Sequence, residues 1–137
     1  MTKNGTTRSL FELTGKVALV TGASKGIGET IAHALAEYGA SVVVSSRKQE
    51  AVDSVAQQIQ SRGFEAAAIA ANMGRMEQVE ALVDSAVSQY GALDIIVNNA
   101  ATNPVYGSID QTDSGAFDKI IDVNLKGPLM LCNKAYP

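Results

Sequence analysis

Short runs rich in β-branched residues alternate with longer stretches of helical periodicity along this chain. Lys16–Thr21 (KVALVT) and Ser41–Ser46 (SVVVSS) predict the first two strands. Continuous apolar runs of this kind suit strands covered on both faces of a parallel sheet. Between them an Ala-rich helix is expected from about Ile27 to Tyr38, stopped by Gly39. Gln49–Ser61 predicts the second helix, with Val52, Val55, Ala56 and Ile59 in one buried stripe and Gly63 closing it. Glu65–Ala71 predicts a weaker third strand. Met76–Tyr90 predicts the third helix, with Val79, Leu82, Val83 and Val87 on its inner face, and Leu93–Val97 (LDIIV) the fourth strand. A loop rich in Asn, Pro and Gly should follow from Asn98 to about Gln111. The last helical stretch is expected to start near Thr112, a favourable N-cap type. It carries Phe117, Ile120, Ile121, Leu125 and Leu129 at helical spacing. Pro128 should bend that helix or mark a boundary within it.

Strand–helix alternation with short connections predicts βαβ units, a parallel sheet and right-handed crossovers, hence the α/β class. The 137 residues, 46% apolar and 18% charged, suffice for one domain with an ordinary core. A flexible polar tail over Met1–Ser9 should precede that domain at 10–137. Eleven Lys and Arg against fourteen Asp and Glu give a net charge of -3. Without a concentrated basic surface, no nucleic-acid partner is expected. No apolar run reaches the roughly 20 residues that span a bilayer. The N-terminus lacks the long apolar stretch of a signal peptide. One cysteine, Cys132, excludes an internal disulfide and fits a reducing compartment. Together these features predict a cytoplasmic protein with no membrane partner.

Thr21–Gly28 (TGASKGIG) falls between the first strand and the first helix. Its spacing is G-x-x-x-G-x-G rather than G-x-G-x-x-G, but the physical logic is similar. Gly22 would allow the turn, Gly26 would let a pyrophosphate approach the backbone, and Gly28 would let helix and sheet pack closely. Ser24, Lys25 and Ile27 fill the positions between. Amides at the helix N-terminus would meet anionic oxygens with favourable dipole alignment. Glycines also serve ordinary turns, and for this stretch alone that reading stays open. No Gly-Lys-Ser/Thr triplet follows, so a P-loop is not expected.

At this point the chain resembles the short-chain dehydrogenase/reductase family. The family's T-G-x-x-x-G-x-G motif matches Thr21–Gly28. Its N-N-A-G motif matches Asn98-Asn99-Ala100-Ala101, with Ala in place of the last Gly. Its helical N-x-K-G element matches Asn124-Leu125-Lys126-Gly127. The match runs from about Leu10 to Pro137, and the segments SSRKQE and NNAATNP are similar to those of bacterial NADP-dependent carbonyl and alcohol oxidoreductases. The resemblance implies a partial Rossmann-type, doubly wound parallel sheet, with four strands in the order 3-2-1-4 and helices on both faces.

The end of the second strand is where the adenosine ribose is expected. A carboxylate there binds the 2′-hydroxyl of NAD, and a nearby Arg accommodates a 2′-phosphate. By the family's spacing the acidic position falls on Ser46. Arg47 follows, with a planar, permanently charged fork suited to phosphate. Lys25 resembles the second basic residue of many NADP-preferring members. Taken singly, Lys25, Arg47 and Lys48 read equally as solvated surface charges. Together the first two favour NADP over NAD. The resemblance also puts Asn72 and Met73 against adenine, although a polar strand end followed by a core Met reads as well there. It implies that Asn98 supports the sheet while Asn99 and Ala100 line the cofactor.

The implied chemistry is hydride transfer between nicotinamide and a small-molecule carbonyl or secondary alcohol. In the family a Ser, and a Tyr with Lys four residues on, do the acid/base work. An Asn in the preceding helix holds a water of the proton relay. Asn124 matches that Asn and is the candidate catalytic residue; a polar residue on the helix surface is the plain alternative. Tyr38, Tyr90, Tyr106 and Tyr136 all lack Lys four residues downstream, so the expected phenol is missing. The chain therefore reads as an N-terminal portion, truncated before the catalytic segment. A non-catalytic nucleotide-binding module and an inactive fragment are the alternatives. One Cys and one His cannot build a common zinc site, so no metal is expected. His33 reads as a helix-surface or boundary residue and Cys132, after Leu129–Leu131, as buried. An uncovered fourth strand, and a last helix that the family places at subunit interfaces, predict a homo-oligomer.

Overall fold

In the computed structural model, which describes residues 7–136, strands and helices alternate in the expected order. They are β1 (Val17–Thr21), α1 (Gly26–Glu37), β2 (Ser41–Ser45), α2 (Gln49–Ser61), β3 (Ala66–Ala68), α3 (Met76–Tyr90), β4 (Ile95–Val97), α4 (Ser114–Ile121) and α5 (Gly127–Ala135). Short 3-10 turns occupy Thr7–Phe11 and Ile109–Gln111, and a π turn, Asp122–Lys126, joins α4 to α5. The first 3-10 turn overlaps the end of the tail expected over 1–9. Residues 1–6 of that tail lie outside the described residues.

All strands are parallel, in the order β3-β2-β1-β4. The two-residue period of β1 and β2 divides the interior into two cores. Ala18, Val20, Val42 and Val44 meet Ala32 and Ala36 of α1 and Val52, Val55, Ala56 and Ile59 of α2. Leu19 and Val43 meet Val79, Leu82, Val83 and Ala86 of α3 and Leu131 of α5. Helices therefore cover both faces of the sheet, and β1 is buried throughout. Each buried Val or Leu of this kind contributes about 1.5–3 kcal/mol relative to exposure. β4 forms one edge of the sheet and is only half-buried.

Several boundaries differ from the sequence expectation for identifiable reasons. On α3 the inner face uses Ala86, and Val87 stands 40% exposed. At about 100° per residue, Val87 lies about 80° round the helix from Val79, at the rim of the stripe. β3 is shorter than expected, although Ile69 N and Ala71 N still donate to Val44 O and Ser46 O of the neighbouring strand segment, and the Gln49 side chain bonds its outer edge, accepting from Ala70 N at 3.0 Å and donating to Ala68 O at 3.2 Å. The cap of α4 is Asp113 rather than Thr112, its carboxylate accepting from Ala116 N at 2.8 Å. Pro128 lies in the first turn of α5 and follows the π turn. It marks a boundary, as a residue without an N–H should. Cys132 is exposed, not buried, and Leu131 beside it takes the core position. Among the described residues no helix is long and apolar enough to cross a membrane.

Candidate functional site

A crevice of ≈ 850 Å³ runs along the carboxyl ends of β1, β2 and β3 and is walled on its far side by α4 and the π turn. This is where open α/β sheets take ligands, because the chain leaves the sheet there in loops. Gly22 and Gly26 turn with φ of 65° and 63°, a region that residues with a Cβ adopt only at a cost. Gly28 is required for another reason. A Cβ there would stand 2.5 Å from Asn99 Nδ2 and overlap the Gly22 carbonyl oxygen. Lys25, at the N-cap position of α1, makes no side-chain capping bond. The first-turn amides of α1 therefore remain available to an anion.

The ends of β1 and β4 are laced together above this turn. Thr21 Oγ1 donates to Val97 O at 3.3 Å and accepts from the amides of Asn99 and Ala100 at 3.2 and 3.1 Å. Asn99 Nδ2 donates to Thr21 O at 3.0 Å and Gly22 O at 3.1 Å. Bracing of the sheet thus falls to Asn99, not Asn98. The Asn98 side chain donates instead to Cys132 Sγ at 3.4 Å. Asn99 and Ala100 both line the crevice.

Arg47 and Lys25 line the same crevice and are exposed, with half-buried Ser46 beside Arg47. Among the described residues neither cation has a hydrogen-bond or ion-pair partner. Ser24 also lines the crevice, whereas Gly26, Ile27 and Gly28 do not; the Ile27 side chain is 75% exposed. What those three residues offer is main chain at the start of α1. Asn72 and Met73 line the far end. Asn72 Oδ1 already accepts from Gly74 N at 2.9 Å, which leaves its amide NH₂ and one lone pair of the oxygen for a ligand. The Met73 side chain packs into the core with Val79 and Leu82. Asn124 does not line the crevice. It lies in the π turn and grips Thr102, accepting from Thr102 N at 2.7 Å and donating to Thr102 O at 2.8 Å. Thr102 is itself a crevice residue.

Sequence reasoning missed several crevice residues, Ser45, Asp122 and Val123 among them. Ser45 is 1% exposed, lines the crevice, and its Oγ has no partner. Strand alternation already turned it away from Val44, but no spacing rule marked it. Asp122 and Val123 enter the wall because the π turn advances the helix path just before Asn124, and no residue pattern announced that turn. The glycine cradle, the free amides of α1, the unpartnered cations and the orphaned Ser45 hydroxyl together fit a nicotinamide dinucleotide.

The sequence profile of the short chain dehydrogenases matches residues 16–137. The chain belongs to that family. Dehydrogenase/reductase SDR family member 4 of Homo sapiens is 42% identical over 137 residues, which are 100% of this chain and 49% of that protein. Among solved structures, a metagenomic short-chain oxidoreductase in complex with NADP superposes with a TM-score of 0.85 at 35% identity, over 89% of this chain and 55% of that one. A short chain dehydrogenase of Burkholderia cenocepacia in complex with NADP gives 0.86 at 37% identity, over 90% and 51%. This short chain dehydrogenase sequence thus spans about half the length of the curated relatives it matches.

Proposed function

We propose that this chain is the dinucleotide-binding part of an NADP(H)-dependent oxidoreductase that moves hydride between nicotinamide and a small-molecule carbonyl or secondary alcohol. The observation that carries the reading is at the end of β2. Arg47 and Lys25 face one crevice without partners, and Ser46 stands where a carboxylate would be needed for a 2′-hydroxyl. A 2′-phosphate there gains charge-assisted bonds. The solved relatives in complex with NADP support this choice. Gly22, Ser24, Gly26, Ile27 and Gly28 would hold the diphosphate through main-chain groups. Asn72 and Met73 would bound the adenine, and Asn99 and Ala100 would line the rest. Bound NADP(H) supplies the hydride chemistry. Asn124 is the one residue of this stretch assigned toward the reacting end, through the Thr102 main chain that it holds.

Calorimetric titration with NADPH and NADH tests the reading. Arg47→Asp should weaken NADPH binding about tenfold or more, since a charge-assisted bond contributes about 1.5–3 kcal/mol. NADH binding should hardly change, and equal losses for both would remove the assignment. A second reading is that this stretch binds nucleotide without turnover. NADPH oxidation by the purified chain with a carbonyl substrate would exclude it. The proposal also places the protein in the cytoplasm, which a single cysteine suits. It assembles the protein as a homo-oligomer, supported by the exposed apolar residues Phe117, Leu125 and Leu129.

A further inference from the structure

Gly127 ends the N-x-K-G element and opens α5. It is buried, and a Cβ built on it would overlap the Met73 carbonyl oxygen and stand 3.0 Å from Asp122 O. The main chain of α5 therefore lies directly against the turn that follows β3. Its N–H donates to Asp122 O and so closes the π turn. One residue beyond Met73 the contact continues, because a Cβ on Gly74 would stand 3.1 Å from Val123 Cγ2. Met73, Gly74, Asp122 and Val123 all line the far end of the crevice.

We infer that Gly127 is a positioning residue for the adenine end of the crevice, a role that rests on the nucleotide reading above. Its missing side chain lets α5 close on the Met73 carbonyl, and the π turn so placed carries Val123 and Asp122 into the wall. Retreat of helix α5 would draw Leu131 out of the core. Leu131, one turn on and 0% exposed, packs in the same core as Met73, Val79 and Leu82. An added methyl must displace either the Met73–Gly74 turn or the π turn, since close-packed interiors transmit such strain. Both are crevice wall, so the adenine site shifts in either case.

The test uses adenosine 2′,5′-diphosphate as the probe, titrated calorimetrically well below the Tm of each variant. Gly127→Ala should lower its affinity about tenfold or more, equivalent to about 1.4 kcal/mol of lost binding. Gly63→Ala is the control: Gly63 lies outside the crevice lining, a Cβ there meets nothing within 4 Å, and its φ of 85° makes the change costly to stability alone, so its affinity should stay at the wild-type value. Hydrogen exchange on the wild-type chain supplies a readout that survives a misfolded variant. The probe should slow exchange of the amides of 122–127, including the Gly127 N–H. Unchanged affinity in folded Gly127→Ala, or no slowing in that segment, overturns the inference. Failure of the wild-type chain to bind the probe at all sinks the nucleotide reading instead.

Discussion

Replacing Asn99 shows how the crevice is held open. Asn99 Nδ2 bridges the carbonyls of Thr21 and Gly22 at 3.0 and 3.1 Å, both part-buried. A net contribution of about 0.5–1.5 kcal/mol per bond puts the pair at about 1–3 kcal/mol. Asn99 is half-buried, so water recovers part of this after Asn99→Ala, leaving a loss of about 2 kcal/mol. In a chain of this length about 1 kcal/mol moves Tm by roughly 3–4 °C, so the melt should fall by roughly 6–8 °C. Asn99→Asp is the sharper variant. It keeps the shape but exchanges donors for acceptors. A carboxylate then opposes two carbonyls and sits beside the proposed diphosphate. Stability and NADPH affinity should both fall in the order wild type, Ala, Asp. Circular dichroism melts and calorimetric titration read the two quantities. An Asp variant as stable as the Ala variant, or a drop under about 2 °C for Ala, would refute the bracing role.

Ser45→Ala should leave stability unchanged or raise it, by no more than about 1–3 kcal/mol, because the buried hydroxyl has no partner to lose. A urea midpoint clearly below wild type would show that Ser45 Oγ is bonded after all. Asp94 anchors the start of β1: its carboxylate accepts from Val17 N at 2.8 Å, and Lys16 Nζ lies 3.4 Å away. The Val17 amide bond, aided by Lys16 and opposed by desolvation, holds its pKa below the ordinary 3.8. A depressed carboxylate stabilises the fold above the unfolded value, and that contribution is lost as pH falls through the folded one. Asp94→Asn should therefore be less stable at neutral pH, and its gap to wild type should narrow below pH 3.8. A constant gap in urea midpoints across that range would contradict the linkage.

The sheet was legible because its central strands are buried on both faces. Val42–Val44 and Ala18–Val20 can only be covered strands, and the apolar run reads the same in sequence. The edges were less legible. β4 stops short of Leu93 because Asp94 N donates to Val17 O at 2.9 Å while its side chain accepts from Val17 N, ending regular pairing. A hydropathy run carries no record of such a side chain. The turn from Thr21 to Gly28 was legible because each glycine answers a geometric demand: left-handed backbone at Gly22 and Gly26, close approach at Gly28. The two adjacent asparagines could not be told apart by type. Only the twist of the chain after Val97 decides that Asn99 faces Thr21 and Asn98 faces Cys132. The π turn was illegible for a related reason. Its register depends on Gly127 meeting the main chain of Met73, more than fifty residues away in sequence, and no local periodicity encodes that contact.

The crevice consequently has two walls of different construction. Along β1 and β2 it stands on residues buried between two helical layers, where apolar packing sets the geometry. Along the segment from Asn99 to Asn124 the residues are exposed or half-buried, and side chains bonded to main chain do the holding. Asn99 uses both amide hydrogens on Thr21 and Gly22, and Asn124 uses both ends of its amide on Thr102. Burial resists change through many small contacts, whereas these two amides act through four bonds. Single substitutions can therefore loosen the second wall while leaving the sheet intact. For the same reason Asn124, although outside the crevice lining, remains coupled to it: moving its amide releases Thr102, and Thr102 is crevice wall.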